Sequence, residues 1–232
     1  MPRIGRYFLP DQPVHVIQRG NNRQQTFFAD DDNRIYLELL QDASDAHGLK
    51  IHAYVLMTNH VHLLVSPLTS DSLPKAMHDI GWHFTRHINA TRGRTGSLWE
   101  GRYRASLIDT ETYFFVCSRY IEMNPVRAGL ALTPADYRWS SYRCNAGGAH
   151  DPLIWPHALY RDLGTDAAAR AASYAALFAN ALTTAQLDEV RGAAHAGRAL
   201  GSQDFIDRLE RETGTRLRRR RSRRTTNYVP GT

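Results

Sequence analysis

The sequence has little cysteine and no long apolar run. Only Cys117 and Cys144 occur in 232 residues, which is too few for a disulfide framework, and their spacing is not that of a zinc site. No stretch approaches the roughly 18 apolar residues of a membrane-spanning helix, and the start of the chain has no apolar signal-peptide core. These absences predict a soluble protein of the reducing cytoplasm. The length suits one domain, or one domain with an appendage.

Positive charge is concentrated near one end of the chain. The formal net charge is +6, yet residues 216–224 contain seven arginines and no acidic residue. Without that run the sequence has 22 basic and 23 acidic residues and is close to neutral. Arginine-rich arms of this kind are usually disordered and often neutralise phosphates. We therefore predict a disordered tail over residues 216–232, although the preference for arginine over lysine also fits a coding bias.

Two histidines lie two residues apart in a segment with the pattern of a β-strand. Because side chains alternate along a strand, His60 and His62 project to one face, while Val61, Leu63 and Val65 project to the other face, into a core. Two imidazoles on one face could together hold a divalent ion. A solvated histidine pair on a half-exposed strand is the commoner interpretation of this pattern.

A second set of polar groups occurs downstream. Tyr120 and Asn124 are four residues apart in a predicted helix that ends at Pro125, so they share a face about one turn apart. A metal held by two neutral imidazoles and an amide oxygen keeps open positions for a phosphoryl oxygen, and a phenol beside it could attack the phosphorus. A helix-core aromatic is the simpler interpretation of Tyr120. Tyr113, on the same face, is a second candidate without an oxygen ligand four residues on.

Arginines and aromatic residues are interleaved between positions 82 and 104. The set comprises Arg86, Arg92, Arg94, Arg102 and Arg104 with Trp82, Trp99 and Tyr103. Arginines that follow a phosphate backbone and aromatics that stack on bases are what a single-stranded nucleic-acid groove requires. We expect Trp99 to stack on a base, with a place in the core as its alternative. The predicted DNA-binding residues are Arg19, Asn21, Asn22, Arg23, Trp99, Arg102 and Arg104.

Periodicity and turn residues predict the order strand, helix, strand, strand, helix, strand, helix. The strands are expected at 14–19, 49–57, 60–66 and 103–108, and the helices at 30–47, 72–91 and 111–123. This order predicts an α+β fold, an antiparallel sheet with helices on one side, in a ferredoxin-like arrangement. Ala-rich helices at about 165–180, 184–195 and 202–213 predict a C-terminal helical appendage. The expected division is 1–143, 144–215 for the helical region and 216–232 for the tail.

Five sequence blocks occur in an order that is characteristic of one family. They are HVIQRGNNR from His15, YVLMTNHVH from Tyr54, LWEGRY from Leu98, RYIEMNPVRAGL from Arg119 and YRWSSY from Tyr137. In these blocks the chain resembles the single-tyrosine HUH transposases, and among them the REP-associated tyrosine transposases of bacteria. The resemblance is strong over residues 3–142 and continues weakly toward residue 215.

This resemblance implies a fold, an activity and a site. The domain at 1–143 is expected to have the HUH fold and to cut single-stranded DNA beside hairpin-forming repeated palindromes, through a 5′-phosphotyrosine intermediate that allows rejoining. The implied nucleophile is Tyr120, and the implied ligands of Mg²⁺ or Mn²⁺ are His60, His62 and Asn124. The implied partner is hairpin DNA at the nucleoid, bound by a monomer or a homodimer.

Two other functions compete with this hypothesis. A domesticated module could bind hairpins without cutting them, although a binding protein has no need of an aligned phenol. A metal phosphohydrolase that uses water is disfavoured because no cluster of carboxylates is evident near His60.

Overall fold

Four antiparallel strands form the central sheet of the computed structural model, which describes residues 8–214. The strands are β1 (Val14–Arg19), β2 (Leu49–Met57), β3 (His60–Pro67) and β4 (Arg104–Leu107). Their spatial order is β2-β3-β1-β4, so that β1 and β3 occupy the centre. Arg19 pairs with His60 and Ile17 with His62 across these two strands. The predicted tail at 216–232 lies outside the described residues.

Helices connect the strands in the predicted order. They are α1 (Asp30–His47), α2 (Ser72–Arg92), α3 (Thr110–Glu122), α4 (Asn124–Arg127), α5 (Tyr142–Asn145), α6 (Ala158–Arg161), α7 (Ala167–Ala176), α8 (Thr184–Ala196) and α9 (Gln203–Thr213). The boundaries of the first three agree with the prediction to within one residue. The α+β class, the antiparallel sheet and the C-terminal helices are therefore confirmed.

Local chemistry explains where α1 begins and ends. The carboxylate of Asp32 accepts hydrogen bonds from the backbone amides of Phe28 (2.8 Å) and Ala29 (2.9 Å), which otherwise would have no partner at a helix start. The helix ends at Gly48, which has φ of 67°. Glycine adopts this left-handed conformation without a steric penalty, so the chain can reverse directly into β2.

Helices cover both faces of the sheet, and the prediction that they lie on one side was wrong. Val61, Leu63 and Val65 pack in a core with residues of α1 and α2. On the other face, Leu64 and Val55 pack with residues of α3 and α8. The physical reason is visible in β2, which is apolar at every position from 53 to 57 and is buried on both faces although it lies at the edge of the sheet.

The C-terminal part of the chain returns to the sheet. Ile108, just after β4, forms a parallel bridge with Leu200, and Ile51 of β2 forms one with Ile154. Helix α8 contacts α3, β1 and β4. The region beyond residue 143 is therefore packed against β1, β2 and β4.

A buried carboxylate fixes the end of α3. Glu122 is fully buried, and its carboxylate accepts hydrogen bonds from Ser141 Oγ (2.6 Å), Asn145 Nδ2 (2.9 Å) and Tyr174 Oη (2.8 Å). Burial raises the pKa of Glu122 to about 7, although the three hydrogen bonds act in the opposite direction. The same carboxylate thus joins α3 to α5 and α7.

Glu122 should give the stability of the protein a measurable pH dependence. Its carboxyl has a pKa of 4.5 when unperturbed and of about 7 in the fold, so its contribution to stability is complete below pH 4.5 and is lost as the pH rises through about 7. We expect the stability of the wild type, relative to Glu122→Gln, to fall by up to about 3 kcal/mol across that window. Urea unfolding of both proteins at several pH values measures the difference. A difference that does not change with pH would contradict this account.

Candidate functional site

The four residues predicted to act together lie in one pocket. His60, His62, Tyr120 and Asn124 line a cavity of about 260 Å³. The remaining lining residues are Ile17, Arg19, Arg127, Ala128, Arg191, Ala194 and His195. The pocket is therefore built from β1, β3, the end of α3, α4 and one face of α8.

The secondary structure explains this convergence. His60 and His62 occupy alternate positions of β3 and project toward α3, with ring centroids 5.0 Å apart. Phe114, Cys117 and Tyr120 recur at helical spacing on the buried face of α3, which lays Tyr120 over the strand. The Tyr120 ring centroid lies 5.7 Å from that of His62.

Both imidazoles are neutral and held in place by a hydrogen bond at Nδ1. His60 Nδ1 donates to Asn59 Oδ1 at 2.7 Å, and His62 Nδ1 shares a hydrogen with His15 Nε2 at 2.8 Å. Burial lowers the pKa of His60 to about 4 and that of His62 well below its usual value. With Nδ1 engaged in each ring, Nε2 remains for a metal, which is how protein ligands to metals are commonly oriented.

The donor set fits the divalent ion that the family resemblance implies. Asn124 Nδ2 is buried without a hydrogen-bond partner, so this amide is not tied to another protein group through its nitrogen. Within residues 8–214, no group of three or more His, Cys, Asp or Glu side chains could hold a metal. A metal site here would have to combine the two imidazoles with the Asn124 amide oxygen, and this set would leave coordination positions open.

Arginines surround the tyrosine. The Arg127 guanidinium lies 4.4 Å from the centroid of the Tyr120 ring and donates a hydrogen bond to the Tyr120 carbonyl oxygen. Burial lowers the pKa of Arg127 to about 10, which leaves it cationic at neutral pH. Arg19 from β1 and Arg191 from α8 line the same pocket. A strand phosphate in this pocket would meet positive charge from three elements.

The site prediction missed Arg127, Arg191 and His195. The first lies in the block quoted above, seven residues after Tyr120 and thus about two turns along, so helical spacing could have found it. The other two lie on α8, about seventy residues from Tyr120 in sequence, and no local pattern connects them with it.

The remaining DNA-binding candidates are spread over adjoining surfaces. Arg102 and Arg104 line a small cavity with Arg19, and Arg104 donates to both Nδ1 and the carbonyl oxygen of His195 at 2.9 Å. Three more, Asn21, Asn22 and Arg23, form an exposed 3-10 turn directly after β1. This turn and the pocket are thus contiguous along the chain.

Trp99 does not occupy the position expected of a base-stacking residue. It is 6% exposed and packs in the core, with its ring 5.9 Å from Phe84 and 6.4 Å from Tyr36. The prediction that it stacks on a base was therefore wrong for this conformation, because its face is already in contact with core aromatics. Trp82, by contrast, is 50% exposed and has Arg86 over its ring at 4.6 Å.

Comparison with known proteins points to transposases. Residues 10–124 match the family model described as transposase IS200 like. Among solved structures, the chain is similar to a REP-associated tyrosine transposase bound to a REP hairpin, with 18% identity and a TM-score of 0.56 over 68% of this chain and 92% of that one. A putative transposase from Deinococcus radiodurans also matches, with 22% identity and a TM-score of 0.37 over 53% of this chain and 96% of that one. No curated protein matches at a significant level.

His15 should act as a positioning residue for His62. Its ring is buried and stacks on His62 at 5.1 Å, and its Nε2 shares the hydrogen of His62 Nδ1. Loss of such a partner usually weakens metal binding 10- to 100-fold, so we expect about that loss of Mn²⁺ affinity in His15→Leu, measured by calorimetry without DNA. His83→Gln, on the exposed face of α2, is the control. Equal Mn²⁺ affinities for wild type and His15→Leu would refute the role.

Proposed function

We propose that this chain cuts and rejoins single-stranded DNA beside hairpin-forming repeats, because residues 10–124 belong to the IS200-like transposase family. Tyr120 is the nucleophile, and His60, His62 and Asn124 hold Mg²⁺ or Mn²⁺. The observation that carries the proposal is the convergence of a phenol, two neutral imidazoles and an amide in one arginine-lined pocket.

The reaction exchanges one phosphodiester for another. The Tyr120 oxygen bonds to phosphorus and loses its proton, the bond from phosphorus to the 3′ oxygen breaks, and that oxygen leaves as a hydroxyl. A 5′-phosphotyrosine ester remains, so the strand can be rejoined by the reverse reaction without ATP. A bound divalent ion would supply positive charge to a phosphoryl oxygen during the exchange.

The residues of the chain contribute orientation and charge. A phenol attacks well only beside a metal or a base, and the Arg127 guanidinium against the Tyr120 ring adds positive charge next to the phosphorus under attack. The hydrogen bond from Arg127 to the Tyr120 carbonyl also fixes the end of α3 relative to α4. Arg19 and Arg191 are then available to the phosphate groups that flank the attacked phosphorus.

Hairpin DNA is the substrate that the similarity in fold suggests. The solved REP-associated transposase is bound to a REP hairpin, and the present chain shares its fold. A module that binds hairpins without cutting them remains the competing function. The position of Tyr120 beside two oriented imidazoles favours catalysis, because binding alone needs no phenol at that point.

The assignment of the nucleophile can be tested with two tyrosine variants. Tyr120→Phe should abolish the denaturant-resistant adduct between the protein and an end-labelled hairpin oligonucleotide in Mn²⁺, because the attacking oxygen is absent, while hairpin binding persists. Tyr113→Phe is the matched control: Tyr113 lies on the same helix but donates to Glu189 Oε2 at 2.8 Å, outside the pocket. An adduct in Tyr120→Phe would remove Tyr120 from the mechanism. Tight binding without any wild-type adduct would support the binding module.

Arg127 should affect the rate of the reaction more than the affinity for DNA. Loss of one preorganised group that stabilises developing charge typically slows an enzyme about 100- to 1000-fold, and we expect an effect of this order on adduct formation in Arg127→Gln. Arg138→Gln is the matched control, since Arg138 lies 4.3 Å from the Trp139 ring centroid and does not line the pocket. Thermal unfolding confirms that each variant is folded. An unchanged rate in Arg127→Gln would show that the contact with Tyr120 is only structural.

A further inference from the structure

A second groove lies on the other face of the sheet. Gln18 stands between Ile17 and Arg19 in β1, so it projects away from the face that carries Tyr120. There it lines a groove of about 510 Å³, together with Gly81 and Trp82 of α2 and with Arg102 and Tyr103. We call this the Gln18–Trp82 groove. None of the residues around Tyr120 lines it.

The side-chain amide of Gln18 is not fully hydrogen-bonded. The residue is only 5% exposed, and its Oε1 is buried without a partner. Nearby, the indole nitrogen Nε1 of Trp99 is also buried without a partner. Buried polar atoms are nearly always paired in folded proteins, and leaving one unpaired is costly. An amide in this state at the wall of a groove indicates a ligand with its own donors and acceptors.

Gly81 keeps the approach to Gln18 open. A Cβ atom at this position would lie 3.4 Å from Gln18 Nε2 and 3.9 Å from Trp99 Nε1. Gly81 lies within α2, where glycine is otherwise unfavourable by roughly 1 kcal/mol relative to alanine. The space that it leaves gives a flat ligand access to the amide.

Trp82 supplies the aromatic surface of the groove. Half of its surface is exposed, and the Arg86 guanidinium lies over its ring. Exposed tryptophan beside arginine is the combination on which bases of a single strand stack, because every base has a π face. The chemistry of the groove therefore matches a nucleobase, which presents one flat face and one edge of donors and acceptors.

A line of arginines connects the groove with the tyrosine pocket. Arg102 lines both the groove and the small cavity beside it. That cavity is also lined by Arg19, Arg104 and His195, and both Arg19 and His195 continue into the pocket of Tyr120. A DNA strand could thus keep its phosphates against arginines as it passes the end of β1 from one face of the sheet to the other.

We propose that the Gln18–Trp82 groove binds one unpaired nucleobase of the DNA strand that is cut at Tyr120. This inference rests on the proposed function and adds a determinant of sequence specificity to it. Trp82 stacks on the base, and the Gln18 amide, with a donor and an acceptor side by side, reads its edge, as glutamine does with adenine in other complexes.

An abasic scan of one DNA tests the groove. The probe is a fluorescent hairpin oligonucleotide with single-stranded flanks, taken from repeated palindromes of the protein's own genome, and the readout is affinity by anisotropy for the full chain. At one flank position, removing the base should weaken wild-type binding by about 5- to 150-fold, the value of one base–aromatic stack. Removing the same base should have little effect on the DNA affinity of Trp82→Ala, because this variant has already lost the stacking contact. Trp155→Ala, which removes another half-exposed tryptophan with a cation, Lys50, near its ring, should behave as the wild type.

A second variant isolates the reading of the base edge. In Gln18→Leu, the four bases at the sensitive position should bind almost equally well, while the abasic penalty persists. If this buried substitution prevents folding, Gly81→Ala replaces it, because the added methyl group narrows the access to the same amide. Discrimination among the four bases that persists in the folded variant would overturn the role of Gln18.

The outcomes separate this proposal from the chemistry at Tyr120. Equal abasic penalties in wild type and Trp82→Ala, together with a normal Tyr120 adduct, would overturn the groove and leave the nuclease. A penalty that depends on Trp82, without any adduct, would support the groove and reject the phosphotyrosine chemistry. Failure of the wild type to bind the probe would overturn both.

Discussion

The structure depends on the burial of one carboxylate. Glu122 lies fully inside the protein, where an unpaired charge would be strongly destabilising, so Ser141, Asn145 and Tyr174 must all be in place around it. These donors come from segments that follow the strands and helices of the family domain. Because Glu122 is the last residue of α3, the same requirement sets the position of the helix end, and with it Tyr120 and Asn124. The C-terminal region thus takes part in forming the site, both through this carboxylate and through α8.

The alternation of side chains along the central strands β1 and β3 assigns different groups of residues to the two faces of the sheet. In β3 it separates His60 and His62 from the residues of the larger core. In β1 it places His15 and Arg19 with the tyrosine and Gln18 with the opposite groove. Because adjacent residues of β1 contact both sites, the distance between a bound base and the attacked phosphate would be fixed by a rigid strand rather than by loops.

The sequence predicted what local periodicity determines. The spacing of His60 and His62 gave their common face, and the order of strands and helices agrees with the structure. The spacing of Tyr120 and Asn124 brought both to one pocket, although the helix breaks between them and Asn124 belongs to α4. It did not predict relations that depend on distant segments. The second helical layer, the contributions of Arg191 and His195, and the burial of Trp99 against Phe84 all result from packing between parts of the chain far apart in sequence. A tryptophan among arginines has the same local pattern whether it lies on the surface or in the core.

The bridges made by the later part of the chain bear on how two molecules could associate. Ile51 with Ile154 and Val55 with Ser140 lie along the outer side of β2, and Ile108 with Leu200 lies beside β4. Exposed edge strands are the usual template on which a second polypeptide adds its own strand. At these positions both edges are already occupied by the same molecule. Two copies could not merge their sheets at these positions without first displacing those segments.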